Sequence, residues 1–386
     1  MPDGSFVAVA VVAFTAPLLR ELAPALVVPA VVLELLGGIL IGPHVLGIAE
    51  STEAVELFST IGLAALLFLA GREIDVARLR GALLKRAAGS FLVAFVIGTA
   101  IGGILYALEL VEAPLLIAVI LVATSLSVII VPLRDAGETE TRFGQAVIAT
   151  AAFAEFGAVL LLSFLFSTER GGFETEIVHL VVFGLAALVV FLVLAHGPRI
   201  ERLRAAMERL QEGSAQIRVR GDLALLAIVV GLAVELGLES ILAAFAVGVI
   251  RGMTSPRESD AESLEAAKLD AVALGIFVPF FFVSSGIDFR VDELTGSTEA
   301  LLLVPGFVIA FLAVHMVPAV TLARAVERPY AIAEGLLTAT SLSFVIVATQ
   351  IGLELQILQP DTATALVGAG LATVIFFPAL ALRRLD

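Results

Sequence analysis

The chain has 386 residues, is 60% hydrophobic and carries a formal net charge of −14, with a mean hydropathy of +1.07. A soluble chain of that composition would precipitate, so the sequence is that of a polytopic membrane protein. It contains no cysteine, which excludes disulfides, thiol catalysis and cysteine-ligated clusters.

A helix crossing the hydrocarbon needs roughly 20 apolar residues. The apolar runs here are continuous, unlike the alternating segments of a barrel. An all-α fold follows, with thirteen predicted spans: 5–20, 26–42, 55–71, 88–109, 114–133, 143–166, 176–196, 222–238, 240–252, 269–287, 299–322, 331–352 and 361–382. The ninth is short and the tenth carries Pro279. Met1-Pro2-Asp3-Gly4 has no basic character, so the first helix reads as a span and not as a cleaved signal. Tyr106 and Tyr330 fall at predicted helix ends, where amphipathic rings belong. The Arg-rich stretch 197–221 reads as a cytoplasmic connector able to form a surface helix.

Charge supports this topology. With alternate loops assigned to opposite sides, 21 of the 23 basic residues fall on one side, leaving only Arg170 and Arg290 on the other. The positive-inside rule then places the N-terminus outside and the C-terminus in the cytoplasm of a cell-membrane protein. Acids divide 18 inside and 17 outside, with Glu34 and Glu155 inside spans. The acidic outer face attracts cations, or is simply a solvated surface.

The chain repeats itself. Gly38 and Gly42 match Gly248 and Gly252, an offset of 210. Gly62 and the run Phe68–Asp75 match Gly275 and Phe281–Asp288, an offset of 213. Ala-Thr-Ser-Leu-Ser at 123–127 returns at 339–343, an offset of 216. Spans 2, 3 and 5 thus map onto 9, 10 and 12. The shift of seven helices is odd, so the second half is inserted upside down. Segment 1–196 holds the first repeat of six helices plus a linking helix, and 222–386 the inverted second repeat. Inverted repeats whose broken helices cross near the midplane are a transporter architecture.

Thr124, Ser125 and Ser127, with Thr340, Ser341 and Ser343, are neutral oxygen ligands at membrane depth; opened helix ends add backbone carbonyls and opposed dipoles. Singly, such residues are as readily packing groups bonded back to their own helix. Glu155 lies at the centre of its span. A carboxylate there must be protonated, paired or hydrated: it is either a site where a proton and a cation compete, or a structural group bonded between helices. His315, mid-span, is either a packing residue or a counter-charge to Glu155. Glu34, ahead of Gly37-Gly38, is structural or a pathway group. Asp135 and Glu334, at cytoplasmic helix ends, are solvated, capping, or lining an inner funnel. Metalloprotease, paired-aspartate and phosphate-loop signatures are missing, so enzyme chemistry is not indicated.

Over nearly its whole length the chain resembles the second monovalent cation:proton antiporter family, which includes bacterial sodium/proton exchangers and the membrane domains of Kef-type potassium systems. The similarity rests on Leu36–Gly47, Leu67–Asp75 and Phe280–Gly286. It implies a core domain holding two crossed, discontinuous helices (about 88–166 and 299–382), a scaffold that forms a homodimer, and elevator-like alternating access. Where that family carries Asp-Asp, Asn-Asp or Gln-Asp, this chain has Ala154-Glu155, and His315, ahead of Ala323-Arg324, stands where a Lys is expected. One carboxylate fewer points to electroneutral, one-for-one exchange. The expected activity is therefore exchange of Na⁺ or K⁺ for H⁺ with the cation at Glu155. A gated Kef-like channel and a cation-coupled symporter are the alternatives. No cofactor and no nucleic acid are expected; lipid, the transported ions, a second copy and a separate regulatory subunit are the candidate partners. A Kef-type nucleotide-binding tail is not expected to regulate this chain.

Overall fold

The structure, a computed structural model, describes residues 4–22, 29–73, 81–139, 141–171, 216–235, 240–254, 267–296, 298–322 and 328–384, with eight positions between 182 and 192. Most of the predicted seventh span and of the 197–221 connector lie outside these residues, as do Ile74, Asp75, Ala323 and Arg324.

The described residues are helical. In order they form α1 (Gly4–Leu22), α2 (Ala30–Ile41), α3 (Glu53–Glu73), α4 (Gly81–Ala107), α5 (Pro114–Val122), α6 (Leu126–Asp135), α7 (Arg142–Gly171), α8 (Ile217–Glu235) and α9 (Ser240–Thr254). Then follow α10 (Val278–Ile287), α11 (Val291–Gly296), α12 (Thr298–Thr321), α13 (Arg328–Thr338), α14 (Ser343–Glu354) and α15 (Pro360–Leu382). Among the described residues, eight stretches are at least 18 residues long and apolar enough to cross a membrane. Two predicted spans, 114–133 and 331–352, are each split at the repeated Thr-Ser word into α5/α6 and α13/α14. The connector is shorter than expected from its charge: α8 already begins at Ile217, its apolar residues outlasting the arginines at 218 and 220. A π-helical turn, Ala273–Phe277, precedes α10. Pro279 explains it, because a proline lacks the N–H of the regular ladder and the turn above it widens to absorb the loss.

Two compact units emerge. The first comprises Met1–Ser59, Arg78–Leu162 and Pro279–Asp386; the second comprises Thr60–Ala77 and Ser163–Val278.

Within the first unit, α2 and α10 touch through their backbones. A Cβ on Gly38 would overlap the Val283 carbonyl, and one on Gly286 would overlap the Leu35 carbonyl. Phe6, Phe58 and Phe280 close the cluster beside this seam, with ring centroids 5.0–5.1 Å apart. Also in this unit, α4 packs on α5 through Gly98 and Gly102, which face the backbone of Ala118 and Pro114.

The second unit contains the same seam. Gly248 of α9 meets the Phe68 carbonyl, and Gly71 of α3 meets the Phe245 carbonyl. Ion pairs Arg72–Asp270 and Arg251–Asp222, each with a 2.5 Å contact, tie the two seam helices to other parts of the unit, α9 to α8 among them. The two seams are repeat copies of each other, and they correct the register read from the sequence. Leu35 and Gly38 correspond to Phe245 and Gly248 at the expected offset of 210, but Phe68 and Gly71 correspond to Val283 and Gly286 at 215, not 213. The shared Ile-Asp ending drew the sequence match two residues away from the packing contacts.

Candidate functional site

The two helix breaks and the side chains around them lie in the first unit. A broken helix leaves backbone groups without intrahelical partners, and each one buried unsatisfied costs about 1–3 kcal/mol. The sequence around the breaks is organised to supply those partners.

The first break is Ala123–Ser125, with Ala123 extended at φ −70° and ψ 147°. On its α5 side, His315 Nε2 lies 3.1 Å from the Leu121 carbonyl. A carbonyl only accepts, so Nε2 carries the hydrogen, and the imidazole donates to the negative end of α5. On the α6 side, the Leu126 amide donates to Glu155 Oε2 at 3.2 Å, which places the carboxylate at the positive end of α6. Glu155 and His315 thus hold opposite ends of one break. Both are buried, at 7% and 4% exposure.

The second break, 339–342, crosses the first. The Ser125 amide donates to the Thr340 carbonyl at 3.0 Å. The Leu342 amide donates to Ser125 Oγ at 3.1 Å, and Thr124 Oγ1 donates to the Thr338 carbonyl at 2.7 Å. Thr340 Oγ1 bonds back to Leu336 at 3.2 Å. From outside the crossed pair, Thr373 of α15 accepts from the Ser341 amide at 3.2 Å. Thr124, Ser125, Thr340 and Ser341 are all fully or almost fully buried.

The structure therefore brings Thr124, Ser125, Thr340, Ser341, Glu155 and His315 to one crossing. Ser343 opens α14, while Ser127 and Asp135 lie on α6. Glu34 is elsewhere, buried on α2. Of the sequence readings for Glu334, solvation is corrected: it is 1% exposed. Arg86 of α4 forms an ion pair with its Oε2, and Thr150 Oγ1 lies 3.5 Å from Oε1. A narrow cleft lined by Ser90, Thr150, Ala154, His315, Glu334 and Thr338 runs beside the crossing.

Sequence reasoning missed Arg86, Thr150 and Thr373. Arg86 sits just outside the predicted fourth span and counted there only as a loop charge. Thr150 and Thr373 are single hydroxyls within apolar helices, with no local signal to mark them. Among the described residues no group of three or more His, Asp or Glu side chains converges on a metal site. A cation at the crossing would meet one carboxylate and neutral oxygens, the set suited to an alkali ion.

Comparisons with known proteins bear on the family and the fold. The chain is 28% identical over 389 residues to the putative Na(+)/H(+) antiporter YjbQ of Bacillus subtilis, covering 97% of this chain and 62% of the relative, so it spans under two thirds of that protein's length. It is 30% identical over 295 residues to the Na(+)/H(+)-K(+) antiporter GerN of Bacillus cereus, covering 74% of this chain and 72% of GerN. The fold matches that of the sodium proton antiporter MjNhaP1 from Methanocaldococcus jannaschii at pH 8, with a TM-score of 0.70 and 18% identity over 98% of this chain and 97% of that one. The family profile described as "Sodium/hydrogen exchanger, transmembrane" matches residues 10–382, and the chain belongs to that family.

Proposed function

We propose that this protein is a secondary transporter that exchanges a monovalent cation, Na⁺ or K⁺, for H⁺, with Glu155 as the group for which the two compete. The observation that carries this reading is Glu155 itself: a buried carboxylate at the N-terminal end of a half-helix, at a crossing surrounded by Thr and Ser oxygens. A carboxylate at that position holds either a proton or a cation. Binding one expels the other, and the two fluxes are coupled by that exclusion. Thr124, Ser125, Thr340, Ser341 and Ser343 supply neutral oxygens for the cation, and His315 acts as a counter-group by fixing the other end of the break. The names of YjbQ, GerN and MjNhaP1 support the same activity.

The transporter is a multi-pass cell-membrane protein with its N-terminus outside, acting as a homodimer. Its core domain, built from about 88–166 and 299–382, moves against a scaffold made of the rest. With one carboxylate at the crossing, exchange is one-for-one and electroneutral.

Proteoliposomes with an imposed pH gradient test this. Addition of Na⁺ or K⁺ should collapse the gradient for wild type and leave it intact for Glu155→Gln. Collapse that is equal in both, or no collapse in wild type, removes Glu155 as the coupling site and leaves a channel or a symporter. A sustained current during exchange overturns the one-for-one stoichiometry.

A further inference from the structure

Each half of the chain follows its broken helix with a long helix: α7 comes after α6, and α15 after α14. In the first half, α7 sends Glu155 Oε2 to the Leu126 amide at 3.2 Å. In the second, α15 sends Thr373 Oγ1 to the Ser341 amide, also at 3.2 Å. The repeat offset of 216 sets Thr373 opposite Gly157, two residues from Glu155. Thr373 and Glu155 are not strict repeat mates, but each comes from the helix that follows its half's break and accepts from an amide at that break.

Thr373 is fully buried. Its hydroxyl has one proton and two carbonyls within reach, Gly370 at 2.7 Å and Ser341 at 3.3 Å. Gly370 makes this approach possible, since a Cβ there would stand 2.8 Å from the Ser341 carbonyl oxygen. Thr373 thus holds the Ser341 amide and shares its proton with the Ser341 carbonyl. The Ser341 hydroxyl is buried and, among the described residues, has no hydrogen-bond partner. The repeat explains why. Ser125 Oγ accepts from the Leu342 amide, and by symmetry Ser341 Oγ would accept from the Leu126 amide, but Glu155 has taken that donor. Ser341 is left with a hydroxyl and a carbonyl not fully committed to protein partners, fixed in place through Thr373.

We propose that Thr373 is a positioning residue for cation selection: by holding the Ser341 peptide, its hydroxyl sets where the Ser341 hydroxyl and carbonyl oxygens stand toward the transported alkali ion. The inference rests on the reading of cation exchange at Glu155 and adds a third helix, α15, to the crossed pair. Thr373 itself carries no charge and takes no part in the proton step.

The full chain in proteoliposomes tests this with Thr373→Ser, Thr373→Cys and Thr373→Val. For each, the half-saturating concentrations of Na⁺, Li⁺ and K⁺, the maximal rate and the pH profile are measured. Serine keeps the hydroxyl and should stay within about twofold of wild type. Valine keeps the shape but loses the hydrogen bond, and should raise the half-saturating concentration roughly tenfold, as expected for one buried hydrogen bond. It should also change the ratio between ions while leaving the pH profile in place. Cysteine, a weak hydrogen-bonding group, should fall between the two, and it carries the test if the valine variant does not insert. Loss of rate with unchanged half-saturation and unchanged ion ratios in valine or cysteine reduces Thr373 to a packing residue and overturns the proposal. Wild type that exchanges no cation at all defeats the Glu155 reading, and this inference with it; that result is distinct from any produced by the Thr373 series.

Discussion

At the first break a carboxylate and an imidazole hold the two helix ends; at the second, hydroxyls and the Ser125 backbone amide do so. Both breaks carry Ala-Thr-Ser-Leu-Ser, both are buried, and each closes on the other. The difference lies in what neighbouring helices contribute: α7 and α12 bring Glu155 and His315 to the first break, and α15 brings Thr373 to the second. A charge is kept near the second break, on Glu334, which lines the cleft, but Arg86 pairs with it. The pair of breaks is thus a symmetric frame with an asymmetric charge. A fully symmetric pair would place two carboxylates at one crossing, where like charges keep one of them protonated.

The largest effect expected from disturbing this asymmetry is at Glu155. Glu155→Gln keeps an oxygen for the Leu126 amide, so it should abolish exchange and leave thermal stability nearly unchanged. Glu155→Leu should abolish exchange and also lose about 1–3 kcal/mol, because the amide is then buried unpaired. Thermal unfolding in detergent separates the two variants, and equal unfolding temperatures would sink the capping role.

Next in size is the masked charge near the second break. Glu334→Leu strands Arg86 beside the crossing and should cost about 3–5 kcal/mol, whereas the double change with Arg86→Met should recover most of it. If the double variant is no more stable than the single one, the pair is not the unit described here. A smaller effect belongs to His315. His315→Gln keeps a donor for the Leu121 carbonyl and should retain exchange, while His315→Leu should lose about 1–2 kcal/mol of stability. A pH profile of exchange that shifts in the Gln variant would give the imidazole a protonation role as well.

The smallest effect lies away from the breaks, at the end of α10, where a charge is held without a helix break. Partial burial raises the Asp288 carboxyl above its usual range; the Ser51 hydroxyl, 2.6 Å away, pulls it down and the nearby Glu56 charge pushes it up. A raised carboxyl favours the protonated form in the folded state, so folding loses stability as pH rises through the ordinary value toward the folded one. Asp288→Asn keeps the acceptor for Ser51 and should be slightly more stable than wild type at neutral pH. That advantage should vanish below about pH 4, near the ordinary Asp value. Because solvent still reaches the side chain of Asp288 at the helix end, which weakens the effect of its partial burial, a difference of only a degree or so in unfolding temperature is expected, measured across a pH series.

Much of the architecture could be read from the residues. Apolar runs and glycine pairs located the spans and the repeat, because membrane depth admits few alternatives to helix and a bare backbone packs where two helices touch. Thr-Ser at mid-span marked both breaks for a related reason, since small hydroxyls repair a helix that opens. The partners of those breaks were less legible. Thr373 and Thr150 are lone hydroxyls in apolar helices, and nothing in one dimension distinguishes a threonine facing a break from one bonded to its own helix. Arg86 and Glu334 are 248 positions apart, so each read separately as a charge near a water-facing end. The register of α3 against α10 slipped by two residues because a shared Ile-Asp ending outweighed the glycine contacts that only folding reveals.

The glycine seams have one further consequence. Where Gly38 faces Val283 and Gly248 faces Phe68, backbone lies directly on backbone, so no rotamer can rearrange to let the helices slide by a fraction of a turn. Such a joint acts as a rivet: it has a single seating and stores no side-chain entropy. The protein thus contains two copies of one rivet. Both seams are formed by helices outside the proposed core domain, so the movement proposed for that domain leaves each of them seated.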